Sequence, residues 1–594
     1  MNPDRLKTLR EKMAEHEISA LIVPTSDFHD TEYVSDYFTA RKHFSGFTGS
    51  AGVLVVLKDK AGLWTDGRYF IQAAHELENS GIDLMKMGVK GTPSITQYIL
   101  ENLHDGEKAA FDGRTVSMED FEGYQEAFAP KGISIVTDLD LAGEAWPDRP
   151  ALPKTETYHY DEIYNGRSVP EKLADVRKAM EELKADWHVI TKIDEIAWLY
   201  NLRAHDIPNF PVALAYTILS KDGGTLYIDQ SRLDDESRKL LEDAGIAIAD
   251  YDAIYEDVKN LEGPVLMEKD YVNSRIGRSI KEPVFADDPI QMMKAVKNPV
   301  EVAGAFAAHE KDGAAVVRFW KWLEEAMKDG KPVTEISAAE QLQKFRAEQP
   351  DYLEDSFETI AAYGPNAAMA HYHPDEENPV KLENKGLFLV DSGGQYLQGT
   401  TDITRTFVMG DLTDEEKHAF TRVMQSHIDL AKAVFPKGAR GVNLDILARQ
   451  WLWNEGKDYN HGTGHGVGAL SNVHEGPNGF RWQIVPERKD SAVLEAGMIT
   501  SDEPGMYEEG KYGIRHENLL VTVPAFTTEY GDFLKHDVLT LVPFDVRGLD
   551  TSLMHQDQID WLNNYHQRVF DTLSKYLDEE ETAWLKEKTA PISK

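Results

Sequence analysis

Cysteine is absent from the 594-residue chain, which excludes disulfides, thiolate zinc sites and cysteine nucleophiles together. Positive charge is scarce as well: 63 Lys and Arg stand against 102 Asp and Glu, a formal net charge of -39. Nucleic acid and other polyanions are therefore poor partners, because binding them takes clustered cations that release counterions. An acidic surface keeps a chain in solution and favours cationic ligands such as peptide N-termini. No apolar run reaches bilayer length. The opening MNPDRLKTLREKMAEHE has the periodicity of an amphipathic helix (Leu6, Leu9, Met13) and not of an export segment. A cytosolic protein with neither a membrane nor a nucleic-acid partner is expected. Two familiar hydrolase signals are missing too, the G-x-S-x-G nucleophile elbow and the H-E-x-x-H zinc helix.

What the chain does have is material for several cores: 41% apolar and 10% aromatic residues, over a length that predicts two to four domains. Its first half repeats. RLKTLREKMAEHE predicts a helix, followed by the strand SALIVPT, the hairpin GVLVVLKDKAGLWTD, the helix RYFIQAAHELENSG and the strand IDLMKM. KLADVRKAMEELKAD, WHVIT, IDEIAWLYNLR, ALAYTILSKDGGTLYID, SRLDDESRKLLEDAG and IAIAD run through a matching order. Both hairpins turn on Lys-Asp plus glycine. Two related α/β domains are read here, residues 1–153 and 154–294, joined near the proline-rich WPDRPALP of 146–153. Residues 295–548 form a third domain. It opens on a long helix, from about Met293, and continues with strands and interleaved helices as an α+β domain with a mostly antiparallel sheet. A C-terminal extension, 549–594, predicts one or two surface helices.

Chemistry concentrates in the third domain. Asp391 closes the apolar strand GLFLVD, Asp402 sits on the next strand, Glu503 follows the apolar stretch of AGMITSDEPG, and Glu517 lies inside GIRHENLLVTV. Each acid alone reads as a turn or cap residue. Four acids on buried strands are costly unless ligated or paired, and little Lys or Arg lies beside them in sequence. Divalent cations answer that need, and carboxylate-rich ligation with one imidazole suits hard ions such as Mn²⁺ as a bridged pair. The imidazole is His465 in HGTGHGVG, where glycines let backbone approach a ligand. His461, His474 and His371 cluster around it in sequence, while His373 reads as structural.

These motifs resemble the pita-bread metallopeptidases, the family of methionine aminopeptidase, prolidase, creatinase and aminopeptidase P. WTDGRYF (64–70), DEIAWLYNLR (194–203), DSGGQYLQGTTDITRT (391–406), HGTGHGVG (461–468), NVHEGP (472–477), DEPGMY (502–507) and WLNNYH (561–566) resemble its long, three-domain aminopeptidase P branch. The resemblance spans nearly the whole chain. It implies two creatinase-like N-terminal α/β domains, a pita-bread catalytic domain and homodimerisation. The implied activity is removal of the N-terminal residue from peptides with proline second. Two Mn²⁺ per subunit (Co²⁺ or Zn²⁺ being alternatives) and a bridging water or hydroxide are implied as well. Asp391 would then chelate one metal, Asp402 and Glu517 would bridge both, and His465 and Glu503 would complete the second. Glu503 would be the general base, and His371 and His474 would hydrogen-bond the substrate and the developing oxyanion. Arg68, His461, Val473, Tyr507 and Arg515 fall at substrate-binding positions. His516 departs from the family, which has an apolar residue there; on an alternating strand it should face away from the metals. The rivals are a prolidase-type dipeptidase and a catalytically dead pita-bread scaffold, and the filled ligand positions speak against the second.

Overall fold

The computed structural model describes residues 3–369, 372–374 and 378–594. The chain divides into two compact units, Met1–Tyr160 with Arg167–Ile290, and Asp161–Gly166 with Gln291–Lys594.

The first unit holds two six-stranded sheets. In one, helix α1 (Pro3–Glu15) precedes β1 (Ala20–Pro24), followed by β2 (Val53–Leu57), β3 (Ala61–Thr65), β4 (Asp83–Lys86), β5 (Lys108–Ala110) and β6 (Ser134–Val136). In the other, α2 (Val169–Glu182) precedes β7 (Trp187–Ile190), then β8 (Tyr216–Ser220), β9 (Gly224–Tyr227), β10 (Ile246–Ala249), β11 (Val265–Met267) and β12 (Pro283–Phe285). The spatial orders are β4-β3-β2-β1-β5-β6 and β10-β9-β8-β7-β11-β12. Pairing matches strand for strand: the central three strands are antiparallel and the outer pairs are parallel. The repeat legible in the sequence is therefore a repeat of topology. The central strand ALIVP is apolar throughout because helices or chain cover both faces of such a sheet. Phe28 and Phe38 of the first repeat share a core with Val189, Tyr216 and Val265 of the second.

The second unit opens differently from the expected single helix. Helix α3 (Pro289–Ala295) stops, and α4 (Pro299–Lys328) starts after Asn298. Asn298 Oδ1 accepts the Val300 and Glu301 amides, and Glu301 Oε2 accepts the Asn298 amide. With Pro299 at the first helical position this capping box makes a new N-terminus cheaper than continuation. Strand β14 (Leu387–Ser392) then lies between β13 (Ile360–Tyr363) and β15 (Ile403–Val408), antiparallel to both. A second antiparallel sheet runs β16 (Val434–Pro436), β21 (Gly531–Val538), β20 (Asn518–Thr528), β17 (Ile499–Asp502). A hairpin of β18 (Gly505–Glu508) and β19 (Tyr512–Arg515) connects β17 to β20. Helix α5 (Asp414–Ala431) places Met424 and Ile428 in the principal core.

The tail helices α6 (Gln556–Leu573) and α7 (Glu579–Lys588) are not simply surface helices. Ile559, Leu562, Tyr565, Val569 and Leu573 enter that same core. At about 1.5–3 kcal/mol per buried apolar side chain, α6 is an integral layer of the unit. Among the described residues no helix is long and apolar enough to cross a membrane.

Candidate active site

Strand ends bring the acids together. Asp391 on β14 pairs in register with Thr404 on β15. Asp402 occupies the residue just before β15, one step outside the strand expected for it. Asp502, last on β17, faces Asn518, first on β20. Glu503 and Glu517 are their outer neighbours, so both carboxylates leave the sheet at one edge. Asp391, Asp402 and Glu517 are buried, and Glu503 is half-buried. His465 sits on a two-residue strand paired with Gly479 and Phe480. The glycines around it are steric necessities. A Cβ on Gly464 would lie 1.8 Å from the Ser501 carbonyl oxygen, and one on Gly466 2.0 Å from that of Glu475.

Asp402, His465 and Glu517 each present one donor atom, all within 4.8 Å of one another. Nε2 of His465 stands 3.5 Å from Asp402 Oδ2 and 3.4 Å from Glu503 Oε1. Its Nδ1 lies 2.9 Å from the Gly466 carbonyl oxygen, which can only accept. Nδ1 therefore donates to that carbonyl, and Nε2 faces the acids, its lone pair open to a cation that displaces the Nε2 proton. Asp391 Oδ1 is buried and makes no hydrogen bond. Its Oδ2 accepts from Arg515 Nη2 at 2.5 Å. This guanidinium is one of the few cations near the acids in sequence, two residues from Glu517, and it reaches Asp391 from β19 across 124 positions. Arg515 also donates from Nε to Thr404 Oγ1 at 3.1 Å and from Nη1 to the Tyr507 hydroxyl at 2.7 Å. Thr404 Oγ1 in turn donates to Glu517 Oε2 at 2.7 Å. Sequence reasoning gave no role to Thr404; its placement inside DITRT was the available signal.

The carboxyls oppose one another's charge. Burial raises Glu517 well above the carboxylate range, and the charges of Asp402, Asp391 and Glu503 add to the rise. Burial also lifts Glu503 to about 7, against the pull of His465 and Arg515. Asp391 is raised by burial, with Arg515 opposing. Burial disfavours protonation of His465, yet hydrogen bonding to Asp402 and the charges of Glu503 and Asp402 lift it to about 9. Three raised carboxyls, an imidazole lone pair and an oxygen with no partner form a donor set that divalent cations fit, because they supply the missing positive charge.

The remaining candidates surround this cluster unevenly. The His474 ring stands edge-on to His465, with centroids 4.4 Å apart. His461 Nε2 lies 2.9 Å from the Tyr507 hydroxyl, which extends the chain Asp391–Arg515–Tyr507 by one more group. Val473 is buried beside His474. His516 is buried against Phe420 and Phe544, at 4.3 and 5.7 Å between centroids, and does not join the acids. Arg68 belongs to the first unit, where its guanidinium forks onto Asp66 with two 2.8 Å hydrogen bonds. His371 lies outside the described residues.

Two supports were not legible beforehand. Lys294 and Lys297 flank the break between α3 and α4, and both ammonium groups reach the buried Glu475, at 3.3 and 2.7 Å. Glu475 follows His474 directly, so this clamp fixes the loop bearing that histidine. Behind the acids, His427 of α5 touches both Asp502 and Asn518.

A family model described as metallopeptidase family M24 matches residues 305–524, and one for the C-terminal region of that peptidase family matches 532–592. Models of the creatinase/prolidase N-terminal domain match residues 5–140 and 148–301. The chain is 39% identical to the probable Xaa-Pro aminopeptidase P of Coprinopsis cinerea, covering 99% of this chain and 98% of that one. It is 37% identical to aminopeptidase P2 of Arabidopsis thaliana, over 100% of this chain and 89% of the relative. Among solved structures it matches the X-prolyl aminopeptidase of Caenorhabditis elegans, described as a cytosolic enzyme with a di-nuclear active site. The TM-score there is 0.94, at 34% identity over 100% of both chains.

Proposed function

The chain belongs to metallopeptidase family M24, with creatinase-type N-terminal domains ahead of a pita-bread catalytic domain, and on that premise we propose that it is an Xaa-Pro aminopeptidase. It releases the N-terminal residue from peptides whose second residue is proline. The domains divide at 1–153, 154–294, 295–548 and 549–594. The observation that carries the reading is the convergence of Asp402, His465 and Glu517 within 4.8 Å, with Glu503 3.4 Å from the same imidazole nitrogen.

Two Mn²⁺ ions are the proposed cofactors, with Co²⁺ or Zn²⁺ as substitutes. Asp391 would hold one ion, Asp402 and Glu517 both, and His465 with Glu503 the other. Such a pair supplies Lewis acidity toward a water and toward the scissile carbonyl. Glu503, 3.4 Å from His465 Nε2 at the edge of this cluster, is placed to take the proton of the attacking water and return it to the prolyl nitrogen as the bond breaks. His474, beside His465, donates to the carbonyl oxygen as negative charge develops there, and His371 hydrogen-bonds the substrate. Val473, Tyr507 and His461 offer a compact wall for the proline ring, while Arg515 orients Asp391 and Tyr507 together. Arg68 is the substrate contact proposed for the first unit.

The proposed setting is the cytosol and the proposed assembly a homodimer. The deciding experiment is a hydrolysis panel of X-Pro dipeptides, X-Pro-Y tripeptides and X-Ala-Y controls, with and without Mn²⁺. Metal-dependent release of X from X-Pro-Y, with X-Ala-Y untouched, is expected. Turnover of dipeptides alone would favour a prolidase, and efficient cleavage of X-Ala-Y would overturn the proline specificity.

A further inference from the structure

The feature least explained by peptide hydrolysis is the wholly buried His427 on α5. Its ring is wedged behind the point where β17 and β20 end. Nε2 stands 3.0 Å from Asn518 Nδ2. The other end of that amide, Oδ1, accepts from Arg405 Nη2 at 2.8 Å, so nitrogen must face the imidazole and Nε2 must accept. The ring proton is then on Nδ1. There it lies 3.1 Å from the main-chain oxygen of Asp502 and 3.1 Å from its carboxylate Oδ2. Asp502 is itself fully buried and neither of its carboxylate oxygens makes a hydrogen bond, so the main-chain oxygen is the acceptor for the ring proton.

Asp502 and Asn518 are directly opposite one another in the antiparallel pairing of β17 and β20. Glu503 and Glu517 are the next residues outward. Side chains alternate along a strand, so an imidazole gripping 502 and 518 from behind sets the positions at which 503 and 517 emerge in front. Arg405 tightens the same joint by donating from Nη1 to the Glu517 carbonyl oxygen at 2.5 Å. From this geometry we infer that His427 is a positioning residue for the cation pair: a clip between two strand ends that fixes the separation of the Glu503 and Glu517 carboxylates. The inference rests on the metal-binding reading proposed above. It adds a helix residue that no ligand motif contains.

An imidazole is well matched to that task. It offers one donor and one acceptor at a fixed angle on a rigid ring, whereas a phenyl ring of similar shape offers neither. Supporting groups of this kind typically set metal affinity by roughly 10–100-fold.

The test uses the full chain stripped of metal with chelator and titrated with Mn²⁺ by calorimetry, alongside thermal unfolding of the metal-free protein. The wild type is expected to bind two ions, and failure to do so would sink the metal-pair reading whatever the variants do. His427→Phe is expected to bind Mn²⁺ roughly 10–100-fold more weakly. His427→Asn, whose amide restores a donor toward Asp502, should recover most of that loss. Wild-type affinity in His427→Phe overturns the inference even if its melting temperature falls. Equal weakening in the Phe and Asn variants also overturns it, because packing alone would then explain the effect. If His427→Phe does not fold, His427→Leu, which also lacks donor and acceptor, takes its place in the comparison with His427→Asn. Weakened binding there supports the inference, and unchanged binding refutes it.

Discussion

Replacing Thr404 by valine removes one hydroxyl and almost no volume, and it probes the front of the site where His427 probes the back. The Thr404 oxygen donates to Glu517 Oε2 at 2.7 Å and accepts from Arg515 Nε at 3.1 Å, at a fully buried position. Valine is at least as good a strand residue, so β15 should keep its register. A hydrogen bond to a charged group contributes about 1.5–3 kcal/mol. At 1.4 kcal/mol per decade, that is about 10- to 150-fold in an equilibrium constant. Water cannot readily replace the hydroxyl there, so the loss should fall near the middle of the range. Manganese affinity, measured by competition with a fluorescent chelator, is expected to drop by about that factor. Activity at limiting Mn²⁺ should drop with it and recover at saturating ion. Thr404→Ser retains the oxygen and should stay within a few-fold of wild type. Unchanged Mn²⁺ affinity in Thr404→Val would refute the assignment of Glu517 as a ligand held by this hydroxyl.

His474→Ala should lower kcat by roughly 10²–10³, the usual cost of a donor to a developing oxyanion, with metal content by mass spectrometry unchanged; lost metal would reassign the residue. Arg68→Ala should weaken X-Pro-Y and longer peptides more than X-Pro dipeptides, whereas equal losses would make the Asp66 fork purely structural. His536, buried between Phe435 and Phe480 with both ring nitrogens unpartnered, is held near pKa 3 by burial against an ordinary 6.5. The unfolded chain therefore takes up the proton first, and this residue costs about 2 kcal/mol of stability between pH 7 and pH 5. His536→Leu should reduce the acid sensitivity of the urea midpoint by that amount, and an identical pH slope in wild type and variant would show that the ring is not held neutral.

The sequence made the long, apolar elements legible. ALIVP, GVLVVL and GLFLVD announce themselves by composition, and the topological repeat followed from their order. Three-residue strands such as KAA of β5 did not, since so short a run has no period to read. Residues 296–298 hid inside a helical pattern because the cap at Asn298 is a local competition that periodicity ignores. The tail was underestimated for a related reason: an amphipathic helix looks the same whether its apolar face meets a core or is only partly covered. In the site, motif residues were legible one by one, while their partners were not. Arg515 reaches Asp391 across 124 positions, and His427 reaches Asn518 across 91. No local window contains either pair.

The lysine clamp on Glu475 has a consequence for the order in which the protein is made. The Lys297–Glu475 contact joins positions 178 apart. At roughly 5–20 residues per second, the carboxylate leaves the ribosome roughly 10–35 s after the lysine. During that interval Lys297 is an ammonium group that lacks the Glu475 carboxylate, and sinking it into protein would cost several kcal/mol. The junction of α3 and α4 must therefore wait, hydrated, until the loop bearing His474 arrives. Docking of that junction and assembly of the catalytic loop become one late event. A nascent chain carrying its whole N-terminal half is thus still no peptidase.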